Sequence, residues 1–173
     1  MSNSILSSEN GAPVLGSAVK AGLIAGAVFM ALEMILVWLA MGMNAFAPPH
    51  MIAAIVMGPG VLPGPDVVPG SSAGVIAVGM LVHFVLSVAL AFIFKMIAEA
   101  LKLNGVMLLA GGLVFGLLIY AINFYGMTAI FPWFAMARNW VSILAHAAFG
   151  LVLAYALMPR ASVTIVEDRG MRS

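Results

Sequence analysis

The sequence predicts an all-α integral membrane four-helix bundle, and two observations predict it: the composition and the length of the apolar stretches. Hydrophobic residues make up 64% of the 173 residues and charged residues 8%, whereas a soluble domain carries about 25% charged residues. So few charges cannot cover a surface that faces water. Four stretches, which we place at about 19–43, 73–94, 106–127 and 140–157, each supply the roughly 20 apolar residues that a helix needs to cross a bilayer.

The positions of the basic residues predict the orientation of these spans. Lys and Arg fall at the N-terminal flank, in the connection between the second and third spans and in the C-terminal tail, whereas Arg138 alone falls on the opposite side. We therefore expect one transmembrane domain, residues 18–158, with cytoplasmic tails at 1–17 and 159–173. The three Trp residues fall near the opposite interface, as an aromatic belt would.

The two outer connections, residues 46–72 and 128–139, are apolar although they are too short or too Pro-rich to span. The run 51–57 predicts a short helix that begins near Pro49 and lies in the outer interface. Membrane anchoring is one interpretation of both connections. A docking surface for another membrane subunit is the other.

An internal duplication is indicated by the second and fourth spans. HFVLSVALAF at 83–92 aligns with HAAFGLVLAY at 146–155, and GAVF at 26–29 matches GLVF at 112–115 more weakly. Two helical hairpins that enter with the same orientation would form a parallel repeat, with its pseudo-twofold axis along the membrane normal. Chance similarity between apolar helices is the alternative. Glycine pairs spaced four apart, at 22 and 26 and at 112 and 116, favour tight helix pairing.

Polar residues inside the spans are the candidate functional residues, because ionisable groups are costly in a bilayer. Counted from the basic flanks at about 1.5 Å per residue, Glu33, His83 and His146 all lie roughly 18–21 Å from the cytoplasmic end. The three are therefore expected in one layer near the midplane. Tyr120 and Asn123, on the third span, are expected slightly further out.

Three interpretations of this layer stay open. In the first, Glu33 hydrogen-bonds to one or both histidines and the cluster fixes helix packing. In the second, His83 and His146 are the axial ligands of a b-type haem, and the small residues four positions before and after each His make room for it. In the third, the layer binds a proton or cation, with groups that titrate near neutral pH.

The outer connections and their flanks also contain His50 and several Met residues. Thioether and imidazole donors suit Cu(I), but Met also fills gaps in apolar packing. We prefer gap filling, and we predict no metal site here.

The sequence shows no pattern typical of catalysis. It has no phosphate loop, nucleophile elbow, HExxH motif or cysteine, and no basic cluster that would bind nucleic acid. An enzyme acting alone is therefore not expected. Our leading hypothesis is a non-catalytic subunit of a larger, bioenergetic membrane complex, which docks through 46–72 and 128–139. A small transporter or ion-conducting oligomer is the alternative, and a b-type haem electron carrier is the second alternative.

The stretch NFYGMTAIFPWFAMARNW at 123–140, with residues 51–62 upstream, resembles a family of small four-span bacterial membrane proteins often labelled "sodium:proline symporter". The resemblance covers most of the chain from the first span to the fourth. True sodium–solute symporters have ten or more spans with broken helices in an inverted repeat, so their Na⁺ residues and mechanism do not carry over. The resemblance implies a location in the bacterial inner membrane.

Overall fold

The computed structural model describes residues 12–62 and 72–158, and these residues are helical with no strand among them. The predicted tails, apart from residues 12–17, and residues 63–71 of the first outer connection lie outside the described residues. Five α-helices are present: α1 (Ala12–Met41), α2 (Ala47–Met57), α3 (Ala73–Ala100), α4 (Gly105–Ala121) and α5 (Trp140–Leu157). A π-turn at Ile122–Gly126 follows α4, and short 3₁₀ turns lie at Pro59–Val61, Met127–Ala129 and Pro132–Ala137.

Four of these segments are long and apolar enough to cross a membrane: Gly16–Met41, Ala73–Ala100, Gly105–Ala129 and Trp140–Leu157. The prediction of four apolar helices is thus confirmed, although three of them begin or end elsewhere than predicted, the third by one or two residues at each end. The first helix begins before residue 19, and α3 continues beyond residue 94. The extra turns of α3 carry Lys95 and Glu99, which pair at 3.6 Å and so satisfy their charges on one helix face.

Local sequence explains where the helices begin and end. Gly42 follows α1 with φ 65°, a left-handed conformation that glycine adopts without a steric penalty. Pro48 lies in the first turn of α2, where a missing N–H costs nothing. The side-chain oxygen of Asn139 accepts a hydrogen bond from the Ser142 N–H at 3.0 Å and caps α5.

The helix α1 packs against both α3 and α5. The fourth helix packs against α5, whereas α3 and α4 make few contacts although they are consecutive in the chain. The short helix α2 packs against α3, with the Pro49 carbonyl directly against Gly79. Five of its eleven residues are buried, so one side of α2 packs on the bundle and the helix does not merely lie on its surface.

Besides α2 and α3 at Gly79, two further helix pairs approach closely at glycine. A Cβ atom on Gly26 of α1 would lie 2.7 Å from the Ser87 side-chain oxygen of α3. In the other pair, a Cβ atom on Gly116 of α4 would overlap the carbonyl of His146, and one on Gly150 of α5 would overlap the carbonyl of Gly112. The prediction that the glycine pairs mark tight helix contacts is confirmed, and both contacts lie within the bundle.

The two connections that the sequence predicts on the outer side fold into one layer, which we call the outer layer and define as residues 42–62 and 122–139. Its small core contains Phe124 and Phe134, with Met51 and Ile55 of α2 packed against them. The indole N–H of Trp133 donates to the Met51 carbonyl at 3.0 Å. The two connections are therefore held to each other as well as to the bundle.

Candidate functional site

Three helices bring the predicted polar residues into the bundle interior. Glu33 on α1, His83 on α3 and His146 on α5 are 5%, 7% and 3% exposed. Each side chain therefore points inward and away from the lipid-facing surface. This interior cluster is the candidate functional site.

The ring of Phe29 on α1 lies against both histidines. Its centroid is 5.3 Å from the His83 ring, which it stacks on, and 4.8 Å from the His146 ring, which it meets edge-on. Glu33 is one helical turn further along α1, about 6 Å nearer the outer end. The single layer predicted from the sequence is therefore two adjacent levels, because counting from basic flanks ignores how far each helix extends beyond the bilayer.

The carboxyl group of Glu33 has one hydrogen-bond partner, the hydroxyl of Ser142 on α5. This hydroxyl donates to Oε1 at 2.6 Å. The second oxygen, Oε2, is buried and has no partner among the described residues. The Glu33–histidine hydrogen bond of the first interpretation is thus replaced by a hydrogen bond to Ser142.

His83 ties α3 to α1. Its Nε2–H donates to the Gly26 carbonyl at 2.9 Å, and the Ser87 hydroxyl is 3.4 Å from the same nitrogen. Since a carbonyl oxygen can only accept, the proton is on Nε2. The small residue at position 26 is what allows this approach.

His146 makes a different pair of hydrogen bonds. Its Nδ1–H donates to the Ser142 carbonyl of its own helix at 2.7 Å. Its Nε2 is then free to accept from the Asn123 amide at 3.3 Å. Asn123 belongs to the π-turn after α4, and Tyr120 packs edge-on against the same ring at 5.6 Å. Asn123 in the π-turn and Tyr120 in the last turn of α4 thus both lie beside His146.

The haem interpretation does not fit this geometry. A bis-histidine haem needs both imidazoles to bind one iron, but Phe29 lies against both rings, and both Nε2 atoms make protein hydrogen bonds. Throughout residues 12–62 and 72–158, no three His, Asp or Glu side chains come together as a possible metal site.

From the sequence, His50 on α2 is predicted only as one of the outer Met and His residues. In the structure it is a buried polar residue. It is 2% exposed, and its Nδ1–H donates to the Phe46 carbonyl at 2.7 Å. Its Nε2 is buried and has no partner in the described part of the chain. Ala47, Ala53 and Ala54 are buried with it, so the three-and-four spacing of small residues was the available signal.

The chain matches no family model, no curated protein and no solved structure. Its class rests on its own features, the four apolar helices and the polar residues buried among them. These define a multi-pass helical membrane protein.

Proposed function

We propose that this chain is a non-catalytic subunit of a larger membrane complex and that the outer layer is the surface it docks with. The observation that carries the proposal is the construction of that layer. Connections between helices in a bundle are usually about 2–8 residues long, and much longer ones are usually functional. Here the connection between Met41 and Ala73 contains a helix of its own and joins the second outer connection in a shared core.

Arg138 fixes the second outer connection in place. Its Nε–H donates to the Phe124 carbonyl at 2.6 Å and its terminal nitrogen donates to the Thr128 hydroxyl at 3.2 Å. The guanidinium also lies 4.6 Å from the centroid of the Tyr125 ring. A surface held in this way is ordered before it meets a partner, which reduces the entropy cost of association.

The outer layer also exposes large apolar side chains. Ile130, Met136 and Val56 are 66%, 62% and 61% exposed, and Met43 and Met57 are about half exposed. An apolar surface at the membrane boundary is a feature of protein–protein contacts. The interior cluster, by contrast, is enclosed by the helices, and its role in this proposal is to hold the outer layer in shape.

The bacterial inner membrane, the cytoplasmic termini and the parallel repeat belong to the same proposal. The basic residues and the sequence resemblance support the first two. The repeat is supported by one equivalence: the aligned glycines Gly26 and Gly112 face the aligned positions Ser87 and Gly150. The repeat would place two similar hairpins beneath one asymmetric outer layer.

The test is gentle purification of the chain from native membranes, with the co-purifying proteins identified. The double variant Ile130→Ser, Met136→Ser is expected to lose a stoichiometric partner. Its matched control is Met96→Ser, Leu101→Ser, since these residues of α3 and its end are 68% and 65% exposed but lie at the opposite end of the bundle. A chain that purifies alone, or that keeps its partner in the first variant, would refute the proposal.

A small transporter or ion-conducting oligomer is the second candidate, and the unpartnered Oε2 of Glu33 favours it. A buried carboxyl with a free oxygen is suited to bind a proton or cation. Proteoliposomes that contain Glu33→Gln should then lose flux, whereas Glu99→Gln, at an exposed residue, should not. Equal flux in both variants would remove Glu33 from any conduction path.

A further inference from the structure

Two buried side-chain atoms, Oε2 of Glu33 and Nε2 of His50, have no hydrogen-bond partner, and they are the two such atoms in the described part of the chain. Buried polar groups are nearly always hydrogen-bonded, so each exception calls for an explanation. The two residues come from different helices, α1 and α2. Neither atom takes part in a hydrogen bond that holds the described helices together.

The helix register places the two residues at one level. In the antiparallel α1–α3 contact, Gly26 faces His83 and Ser87. Glu33 is seven residues closer to the outer end of α1 than Gly26. Because α3 runs the other way, the level of Glu33 lies about seven residues before the α3 residues that face Gly26. Gly79, which is four residues before His83 and eight before Ser87, is therefore level with Glu33. The Pro49 carbonyl lies directly against Gly79, and His50 is the next residue.

The two atoms are also complementary in hydrogen bonding. Because the Nδ1–H of His50 donates to Phe46, its Nε2 presents a lone pair. Because Oε1 of Glu33 accepts from Ser142, Oε2 is the oxygen that carries the proton in the neutral acid. One atom is therefore a donor and the other an acceptor.

We infer that Glu33 and His50 form a proton-exchange pair, joined directly after a side-chain rotation or through one water molecule. In the exchange, the O–H bond at Oε2 breaks and an N–H bond forms at Nε2. The carboxylic acid becomes a carboxylate and the imidazole becomes an imidazolium, with no other reactant. The pair keeps the same net charge in both forms, so neither form leaves an uncompensated charge buried.

The other titratable groups around the pair make hydrogen bonds of their own. His83 on α3 uses Nε2 for Gly26, and His146 on α5 uses both nitrogens. Arg138 of the outer layer is bonded to Phe124 and Thr128. His50 is the partner at the level of Glu33, whereas His83 lies about one helical turn away along α3. The pair concerns proton binding alone, so it stands or falls separately from the docking and flux proposals.

The experiment is nitrogen-15 NMR of histidine-labelled full-length chain in lipid nanodiscs over a pH series. His50 is assigned by its loss in His50→Asn. In Glu33→Gln, whose amide oxygen still accepts from Ser142, the Nε2 signal of His50 should move, because position 33 no longer supplies an acid proton for exchange. Glu99→Gln is the control and should leave that signal in place. An unchanged Nε2 signal in Glu33→Gln would overturn the inference.

A second measurement follows the proton on the Glu33 carboxyl group instead of the His50 ring. Infrared difference spectra show the carbonyl stretch of a protonated carboxylic acid, and the Glu33 band is identified by its loss in Glu33→Gln. In His50→Asn, whose amide replaces the Nδ1–H toward Phe46, the pH at which this band disappears should move. If it stays at the wild-type value, Glu33 does not exchange its proton with His50.

Discussion

The pairs α1–α3 and α4–α5 are built on the same pattern but use their histidines differently. Both pairs cross at glycine, and each contains a His with small residues four positions before and after it. His83 donates across the interface to a backbone carbonyl of the neighbouring helix, whereas His146 donates within its own helix and accepts from the π-turn. The same local sequence thus gives a link between helices in one pair and an anchor for the outer layer in the other.

The difference follows from what faces each histidine. Gly26 exposes its carbonyl to His83 because no side chain intervenes. Phe29 lies against both rings, and the imidazole of His146 faces the π-turn as well. Neighbouring helices, and not the motif, decide the role of a buried polar residue. Substitutions at equivalent positions should therefore have unequal effects.

The largest effect is expected where backbone meets backbone. Gly150→Ala puts a methyl group onto the Gly112 carbonyl, and α4 must move away. Gly26→Ala meets the Ser87 side chain instead. Overpacking costs about 1–3 kcal/mol, and we expect Gly150→Ala at or above the top of that range and Gly26→Ala near its bottom. Thermal unfolding in nanodiscs would measure both, and equal losses would contradict the difference drawn between the pairs.

An intermediate effect is expected from two of the small residues that flank the histidines, Ser142 before His146 and Ser87 after His83. Ser142→Ala leaves the Glu33 carboxyl without its 2.6 Å hydrogen bond, and a buried polar group left unpaired costs about 1–3 kcal/mol. Ser87→Ala removes a 3.4 Å contact from a nitrogen that keeps its bond to Gly26. We expect it to change the free energy of unfolding by less than about 0.5 kcal/mol. A larger loss in Ser87→Ala than in Ser142→Ala would show that the hydrogen bonds are assigned wrongly.

A local effect, smaller than that of Ser142→Ala, is expected from Asn123→Ala, which removes the 3.3 Å bond to His146. A neutral hydrogen bond contributes about 0.5–1.5 kcal/mol. Because Asn123 lies in the π-turn, hydrogen exchange should rise in residues 122–139 and stay unchanged in α1 and α3. If hydrogen exchange in residues 122–139 of the variant did not rise, His146 would not anchor the outer layer.

The sequence predicted the spans well because each helix is apolar on every side and long enough to cross a bilayer. Trp140–Leu157 was placed correctly, and α3 was cut short because Lys95 was taken as its end. The same uniform apolarity hides which face of each helix points inward. The contacts of Glu33 with Ser142 and of Phe29 with both histidines therefore could not be predicted.

The central claim is that the outer layer binds another membrane protein. The most direct test is photo-crosslinking in native membranes from a reactive residue at position 130, with the same residue at position 96 as the control. Both positions are similarly exposed but lie at opposite ends of the bundle. We predict a discrete protein adduct from position 130 and none from position 96. Lipid adducts alone from position 130, or the same protein adduct from both positions, would contradict the account.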